Sequence, residues 1–272
     1  MSNLMAKTNW TGCVQEIIFS KFCLVLTKTF SYADCLPLCQ EGTIAIPVLV
    51  EKYLDMKNEA PHFFFDVYLQ IPDPSGLVKA VLYSSFRGNE ATKYGHNMEA
   101  ELERWFIEQY PATEVVHMGL SSHPKLKYMA GSPDGIGIDT LSDERFLLEY
   151  KAPYGLKTSE TSVYNAPDLI PSFFLAKKDG QLTLKKRHDF YFQIQGLLEV
   201  FDLPYCMLVV AGFDSKCAVR VERDRDVFER VMLPKLRQFY FGAILPERVY
   251  PMKRRGGLRS TLVPVEQMDF AE

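Results

Sequence analysis

The chain of 272 residues is 47% hydrophobic, 13% aromatic and 24% charged, with a formal net charge of −3, which are the proportions of a folded globular protein and exclude disorder and fibrous repeats. At this length it forms one large domain or two small ones and buries roughly three-quarters of its unfolded surface. The longest apolar run near the N-terminus, Phe22 to Leu26, is too short to cross a bilayer, and six cysteines are too sparse for a disulfide scaffold; an intracellular protein of cytoplasm or nucleus, neither secreted nor membrane-bound, is expected.

Residues 1–83 read as a mostly helical extension packed on the core. It comprises a mixed helical stretch from Cys13 to Phe30, a turn from Asp34 to Gln40, a helix from Val48 to Asn58, and Phe63 to Ile71 as a strand or a buried extended segment. Cys35 and Cys39 are spaced as in zinc sites, but no second Cys or His pair follows nearby, which argues against zinc. Pro72 to Gly76 breaks the chain. From Glu90 the apolar residues Ala91, Tyr94, Met98, Leu102, Trp105 and Phe106 recur at three and four, which predicts a helix closed by Pro111.

Short strands are expected at Glu114 to Met118, at Lys127 to Ala130, along the Gly-punctuated Ser132 to Ile138, and from Arg145 to Lys151, the last two as a hairpin. A basic stretch of some thirty residues without regular structure then leads to a helix from His188 to Phe201. Tyr205 to Phe213 and Lys216 to Glu222 form a strand pair around Asp214-Ser215, and a final helix from Asp224 to Tyr240 is bent at Pro234. Residues 84–245 thus make the core and 246–272 a C-terminal basic tail.

The charge is unevenly spread. Residues 216–259 hold twelve Lys and Arg against five Asp and Glu, and residues 177–188 hold five against one, so the rest of the chain is strongly acidic. Basic surface on a polyanion, with acidic groups kept elsewhere, fits this separation; so do cations scattered on solvated helix faces.

The constellation that carries chemistry is Asp134 followed by Glu149-Tyr150-Lys151. Side chains at i and i+2 share a face of a strand, so Glu149 and Lys151 point one way while Leu148 and Tyr150 point the other. Phe146, Leu147 and Leu148 precede them without a polar interruption, which makes the strand buried on both faces. Two charges at the end of such a strand are costly unless something pairs with them. Asp134, delivered across the hairpin, can join Glu149 in binding Mg²⁺, with Mn²⁺ able to substitute. Lys151 then stands beside a metal-bound water, a set suited to phosphodiester hydrolysis.

Ser132-Pro133-Asp134-Gly135 followed by Leu148-Glu149-Tyr150-Lys151-Ala152-Pro153 resembles the lambda-type alkaline exonuclease or viral recombinase (YqaJ-like) family of the PD-(D/E)-x-K nuclease superfamily. Gly95-His96-Asn97-Met98-Glu99 upstream, and Gln193-Ile194-Gln195 and Glu222-Arg223-Asp224 downstream, match its further motifs, so the likeness runs from about residue 91 to 241. The resemblance implies an α/β (α+β) restriction-endonuclease-like core, a central mixed sheet flanked by helices. It implies metal binding by Asp134, Glu149, the Tyr150 backbone carbonyl and Glu99, Lys151 as the catalytic lysine, and Gln193 beside the site. Ser132 matches a phosphate-contacting serine, although a serine before proline is also ordinary turn chemistry.

The activity implied is a Mg²⁺-dependent DNA exonuclease working from duplex ends, 5′ to 3′, in recombination or viral DNA processing. A ring-shaped homotrimer and a single-strand annealing protein are the partners implied. The family's early arginine-and-serine grip on a 5′ phosphate has no clear match; Arg87 and Thr92 are candidates, and Lys177, Lys178, Lys185, Lys186 and Arg187 are expected to line the DNA path. An endonuclease or RNase of the viral alkaline nuclease type, and a non-catalytic nucleic-acid-binding relative, remain the alternatives.

Overall fold

The computed structural model describes residues 22–24, 73–83, 88–126 and 128–263. The Cys35/Cys39 pair, the helix expected at Val48 to Asn58, the segment Phe63 to Ile71 and Arg87 lie outside the described residues. The three residues described within Cys13 to Phe30 are not helical. They form strand β1 (Phe22–Leu24), antiparallel to β4 (Met129–Gly131), which also pairs with β3 (Ser121–Ser122) in a three-stranded sheet.

The central sheet has five strands in the order β10, β9, β6, β5, β2: β2 (Thr113–Val116), β5 (Gly135–Asp139), β6 (Arg145–Lys151), β9 (Tyr205–Ala211) and β10 (Lys216–Glu222). Only β6 and β9 run parallel, with Glu149 opposite Leu208 and Lys151 opposite Val210, so the sheet is mixed as expected. A parallel pair needs a crossover, and residues 152–204 supply it.

Helix α1 (Ser75–Tyr83) begins just after Asp73, whose carboxylate accepts the Ser75 N–H at 2.8 Å. Helix α2 (Glu90–Gln109) is capped by Asn89, whose side chain accepts the Thr92 N–H at 2.8 Å, with Glu90 favourably placed in the first turn. Leu102 and Phe106, four apart, are its buried residues, and they pack with Phe146, Leu148, Tyr150, Tyr205 and Val209 on one face of the sheet. The other face carries the larger core: Leu147, Leu208 and Val210 meet helix α5 (Asp189–Phe201), α1 and the C-terminal helical run. Strand β6 is therefore covered on both sides, as its apolar run requires.

The crossover is more ordered than its sequence suggested. It contains two short helices, α3 (Tyr154–Thr158) and α4 (Ala166–Leu169), and a hairpin of β7 (Leu175–Lys178) with β8 (Gln181–Leu184). The hairpin turn is Asp179-Gly180, with φ of 51° and 78°. Two adjacent positive φ values mark the type I′ turn that Asp-Gly favours.

The final helix also differs from expectation, because it runs past Tyr240 to Val249. This run, α6, consists of α-helical pieces Arg225–Val227, Leu233–Phe239 and Leu245–Val249 joined by π-helical turns at Phe228–Met232 and Tyr240–Ile244. Pro234 and Pro246 each sit just after a π turn, where the widened helix absorbs a missing N–H and a displaced carbonyl. The helix crosses the expected 245/246 boundary, and beyond it Leu258 and Leu262 pack on the core while the Val263 N–H donates to the Gly242 carbonyl at 2.8 Å. No helix among the described residues is long and apolar enough to cross a membrane.

Gly137 lies opposite Phe146 in the β5–β6 ladder, and a Cβ there would overlap the Phe146 ring, which stacks on Tyr205 with centroids 5.2 Å apart. Gly137→Ala should therefore lower stability by roughly 1–3 kcal/mol through overpacking. Gly119→Ala, where a Cβ meets nothing within 4 Å, should change it by less than about 0.5 kcal/mol. Urea denaturation of the two variants checks the contrast.

Candidate active site

Strand β6 ends with Glu149 and Lys151 on the face covered by α5. Glu149 is fully buried, at 0% exposure. Its Oε1 accepts the Lys151 ammonium at 2.7 Å and the Gln193 amide at 2.8 Å, while its Oε2 is buried with no donor. Lys151 retains 14% side-chain exposure, so the anion is sealed and the cation stands at the mouth. The ring of Phe190, one turn before Gln193 on α5, lies 5.0 Å from the Lys151 ammonium.

Asp134 comes from the turn between β4 and β5. Because Gly135 pairs with Leu148, this turn falls beside Glu149, and the buried Asp134 accepts the Tyr150 N–H at 2.7 Å through Oδ2. One backbone bond thus fixes the aspartate against the strand that carries the other two charged groups. His117, just past β2, holds the turn from outside. Its Nδ1 is 3.3 Å from the Asp134 carbonyl and its Nε2 is 3.3 Å from a Glu103 carboxylate oxygen on α2. His117 and Phe190 were not anticipated from sequence. The β2–β5 register, which puts Val116 opposite Ile136, is the signal that locates His117.

The donor set fits a hard divalent cation: two buried carboxylates are held at the end of β6, Glu149 on the strand itself and Asp134 on the Tyr150 N–H, and Glu149 keeps a buried oxygen without a donor. Glu99 does not join them. It is 34% exposed on α2, beside His96 at 3.4 Å, and no three His, Cys, Asp or Glu gather into a metal cluster among the described residues. The reason lies in packing. Helix α2 covers the face of β6 that carries Leu148 and Tyr150, opposite to the face of Glu149 and Lys151. The Tyr150 phenol on that side has its pKa raised by burial and then by the Glu103 carboxylate.

The basic run is only partly available to a ligand. Lys177 pairs with Asp168, the Lys185 ammonium donates to the Pro171 carbonyl at 2.8 Å, and Lys186 pairs with Asp224 at 3.1 Å. Three of the five expected cations therefore have partners that pin the hairpin and the start of α5 to the body. Lys178 and Arg187 are exposed, and Ser132 is half-buried in the turn before Asp134. The hairpin base is tied to the site through rings: Phe174 meets Phe190 at 4.9 Å between centroids, and Phe190 meets Lys151.

A model of the YqaJ-like viral recombinase domain matches residues 65–200, half of the chain. The chain belongs to this family. Its fold is also similar to two solved structures of an alkaline exonuclease. LHK-Exo from Laribacter hongkongensis has a TM-score of 0.44 at 17% identity over 70% of this chain and 88% of that one. LHK-Exo in complex with dAMP has a TM-score of 0.43 at 18% identity over 66% and 80%. No curated protein matches the chain.

His188 caps α5, the helix that brings Gln193 and Phe190 to the site. Its Nδ1 accepts the Phe190 N–H at 3.2 Å, and burial, then the Lys185 charge, lowers its pKa to about 4. A histidine held neutral in the folded state contributes stability that is fully present above its unfolded pKa near 6.5 and is lost as pH falls toward 4. The loss should reach on the order of 2–3 kcal/mol. His188→Asn keeps a capping acceptor without the titration, so urea denaturation at pH 7 and pH 4.5 should show a smaller pH effect in the variant.

Proposed function

We propose that the chain is a Mg²⁺-dependent DNA exonuclease that hydrolyses phosphodiester bonds from duplex ends, 5′ to 3′, in recombination or viral DNA processing. Family membership supports a nuclease with DNA as substrate. The observation that carries the reading is the fully buried Glu149, bonded to Lys151 and Gln193 and set beside the buried Asp134. A solvated Glu-Lys pair would not be sealed in this way, and a module that only binds nucleic acid has no use for an ammonium held at the mouth of a carboxylate pocket.

Asp134 and Glu149, with the Tyr150 carbonyl, would hold the cation, which when bound supplies charge neutralisation on the phosphate and an activated water. The chain's own groups do the positioning. Gln193 donates to Oε1 of Glu149, as Lys151 does, and so leaves Oε2 without a donor. Lys151, partly exposed, can turn its remaining N–H groups toward a non-bridging phosphate oxygen and stabilise the charge that develops there. Ser132, Lys178 and Arg187 are the candidates for holding flanking phosphates. A ring-shaped homotrimer and an annealing partner belong to the same reading.

End-labelled linear duplex, with and without a 5′ phosphate, should be degraded in Mg²⁺ and spared in EDTA, while a closed circle should survive. Rapid nicking of the circle would move the assignment to an endonuclease. Lys151→Ala should reduce turnover by about 10²–10³ while duplex binding in EDTA persists.

Stability separates the roles further. Lys151→Ala leaves the Glu149 charge buried without its counter-ion, which should lower stability by about 3–5 kcal/mol. Glu149→Gln removes the buried charge altogether. It should abolish activity and Mg²⁺ uptake yet leave the metal-free melting temperature unchanged or higher, as calorimetry would show.

A further inference from the structure

The polypeptide from Arg248 to Arg259 carries Arg248, Lys253, Arg254, Arg255 and Arg259 with no Asp or Glu between them. Lys253, Arg254 and Arg255 are exposed. Like charges this dense repel one another, and a solvated tail would spread them apart. Here the loop is fixed instead. The carboxylate of Glu247, 2% exposed at the end of α6, accepts the backbone N–H groups of Met252 at 3.0 Å and Lys253 at 3.1 Å. It also accepts the Tyr83 hydroxyl at 2.7 Å and has the Arg259 guanidinium 3.6 Å away. Burial and then Glu247 itself push the Tyr83 phenol up to about 12, which keeps it a donor.

The loop closes on itself through Arg255 and Gly257 N–H groups on the Met252 carbonyl, at 2.8 and 3.3 Å. Gly256 and Gly257, with φ of 139° and 129°, let the chain leave in a conformation that other residues rarely adopt. The cations are seated on rings: the Lys253 ammonium is 3.9 Å from the Tyr83 centroid, and the Arg255 guanidinium is 4.2 Å from that of Tyr250, to whose hydroxyl it donates at 2.6 Å.

We infer that this loop is a second nucleic-acid contact, in which the exposed Lys253, Arg254 and Arg255 take the phosphate backbone outside the scissile position. The inference rests on the nuclease reading for the identity of the polyanion. Charge complementarity argues for it. The buried Glu247 carboxylate fixes the loop backbone at Met252 and Lys253, and ammonium and guanidinium groups presented from a fixed backbone match phosphates spaced along a strand.

The test is fluorescence anisotropy of a labelled duplex in EDTA across a KCl series, for wild type and the Lys253→Ala/Arg254→Ala/Arg255→Ala variant. The variant should bind at least roughly tenfold more weakly near 0.1 M salt, with a log–log salt slope shallower by about two to three. In Mg²⁺ its KM for duplex should rise while kcat holds. Arg254→Glu, a single exposed change, should give the same direction with an unchanged melting temperature, which separates lost contacts from misfolding. An unchanged slope in the triple variant, with a wild type that degrades DNA, would overturn this inference and leave the function standing. A wild type that neither binds nor hydrolyses nucleic acid would overturn both. Retention of duplex affinity by the triple variant together with loss of affinity for polyglutamate would overturn the inference in favour of an acidic protein partner.

Discussion

The site depends on a carboxylate kept out of water. Removing Glu149 from solvent costs several kcal/mol even after relaxation, and only a close cation and well-placed donors offset it. Lys151 and Gln193 both bond to the same oxygen, so the stabilisation is concentrated on Oε1 and Oε2 is left facing no donor. That imbalance has a consequence for dielectric as well as for bonding. With α5 on one face of β6 and α2 on the other, water is excluded and the field of the unmatched oxygen is little screened. A ligand that carries positive charge gains more here than it would on a surface pair.

Topology delivers the partners. Since β9 lies parallel to β6, the chain cannot return by a tight hairpin and must cross over. The crossover carries α5, and α5 lies over the same face of the sheet that Glu149 occupies, so the connection that the sheet demands is also the one that supplies Gln193 and Phe190. The capping of α5 by His188 and the anchoring of Lys186 and Tyr191 on Asp224 then fix where the helix begins. Asp134 arrives by the opposite route, through the short antiparallel hairpin β5–β6, and its carboxylate accepts the Tyr150 N–H.

This division explains what could be read from the sequence. Strand β6 was legible because period two and an unbroken apolar run are local properties, and they place Glu149 and Lys151 on one face without reference to the rest of the chain. Helix α2 was legible from its period and its closing proline. The hairpin at Leu175–Leu184 was missed although Asp179-Gly180 is a strong turn signal, because β7 ends in two lysines and only Leu175 and Leu184 are buried. Strand β1 could not be found from its own residues, since its partner β4 lies more than a hundred positions away. Glu99 was placed at the site by its motif and by its position beside the Met98–Leu102 stripe; which face of the sheet a helix covers is decided by packing, and α2 covers the face opposite Glu149. His117 depends on register between β2 and β5, which no single segment encodes.

Two buried glutamates show how the same group serves different ends. Glu247 is saturated: two backbone N–H groups, a phenol and a guanidinium surround it, and nothing about it invites a further ligand. Its work is to hold a loop. Glu149 is equally buried but has both its donors on one oxygen, with the neighbouring Gln193 carbonyl oxygen also lacking a partner. The fold satisfies one buried carboxylate fully and leaves the other with a buried oxygen short of donors, and on the proposed reading that imbalance at the end of β6 is what a bound cation would offset. The pattern of satisfaction, more than burial or charge taken alone, separates the glutamate that holds a loop from the one proposed to hold a cation.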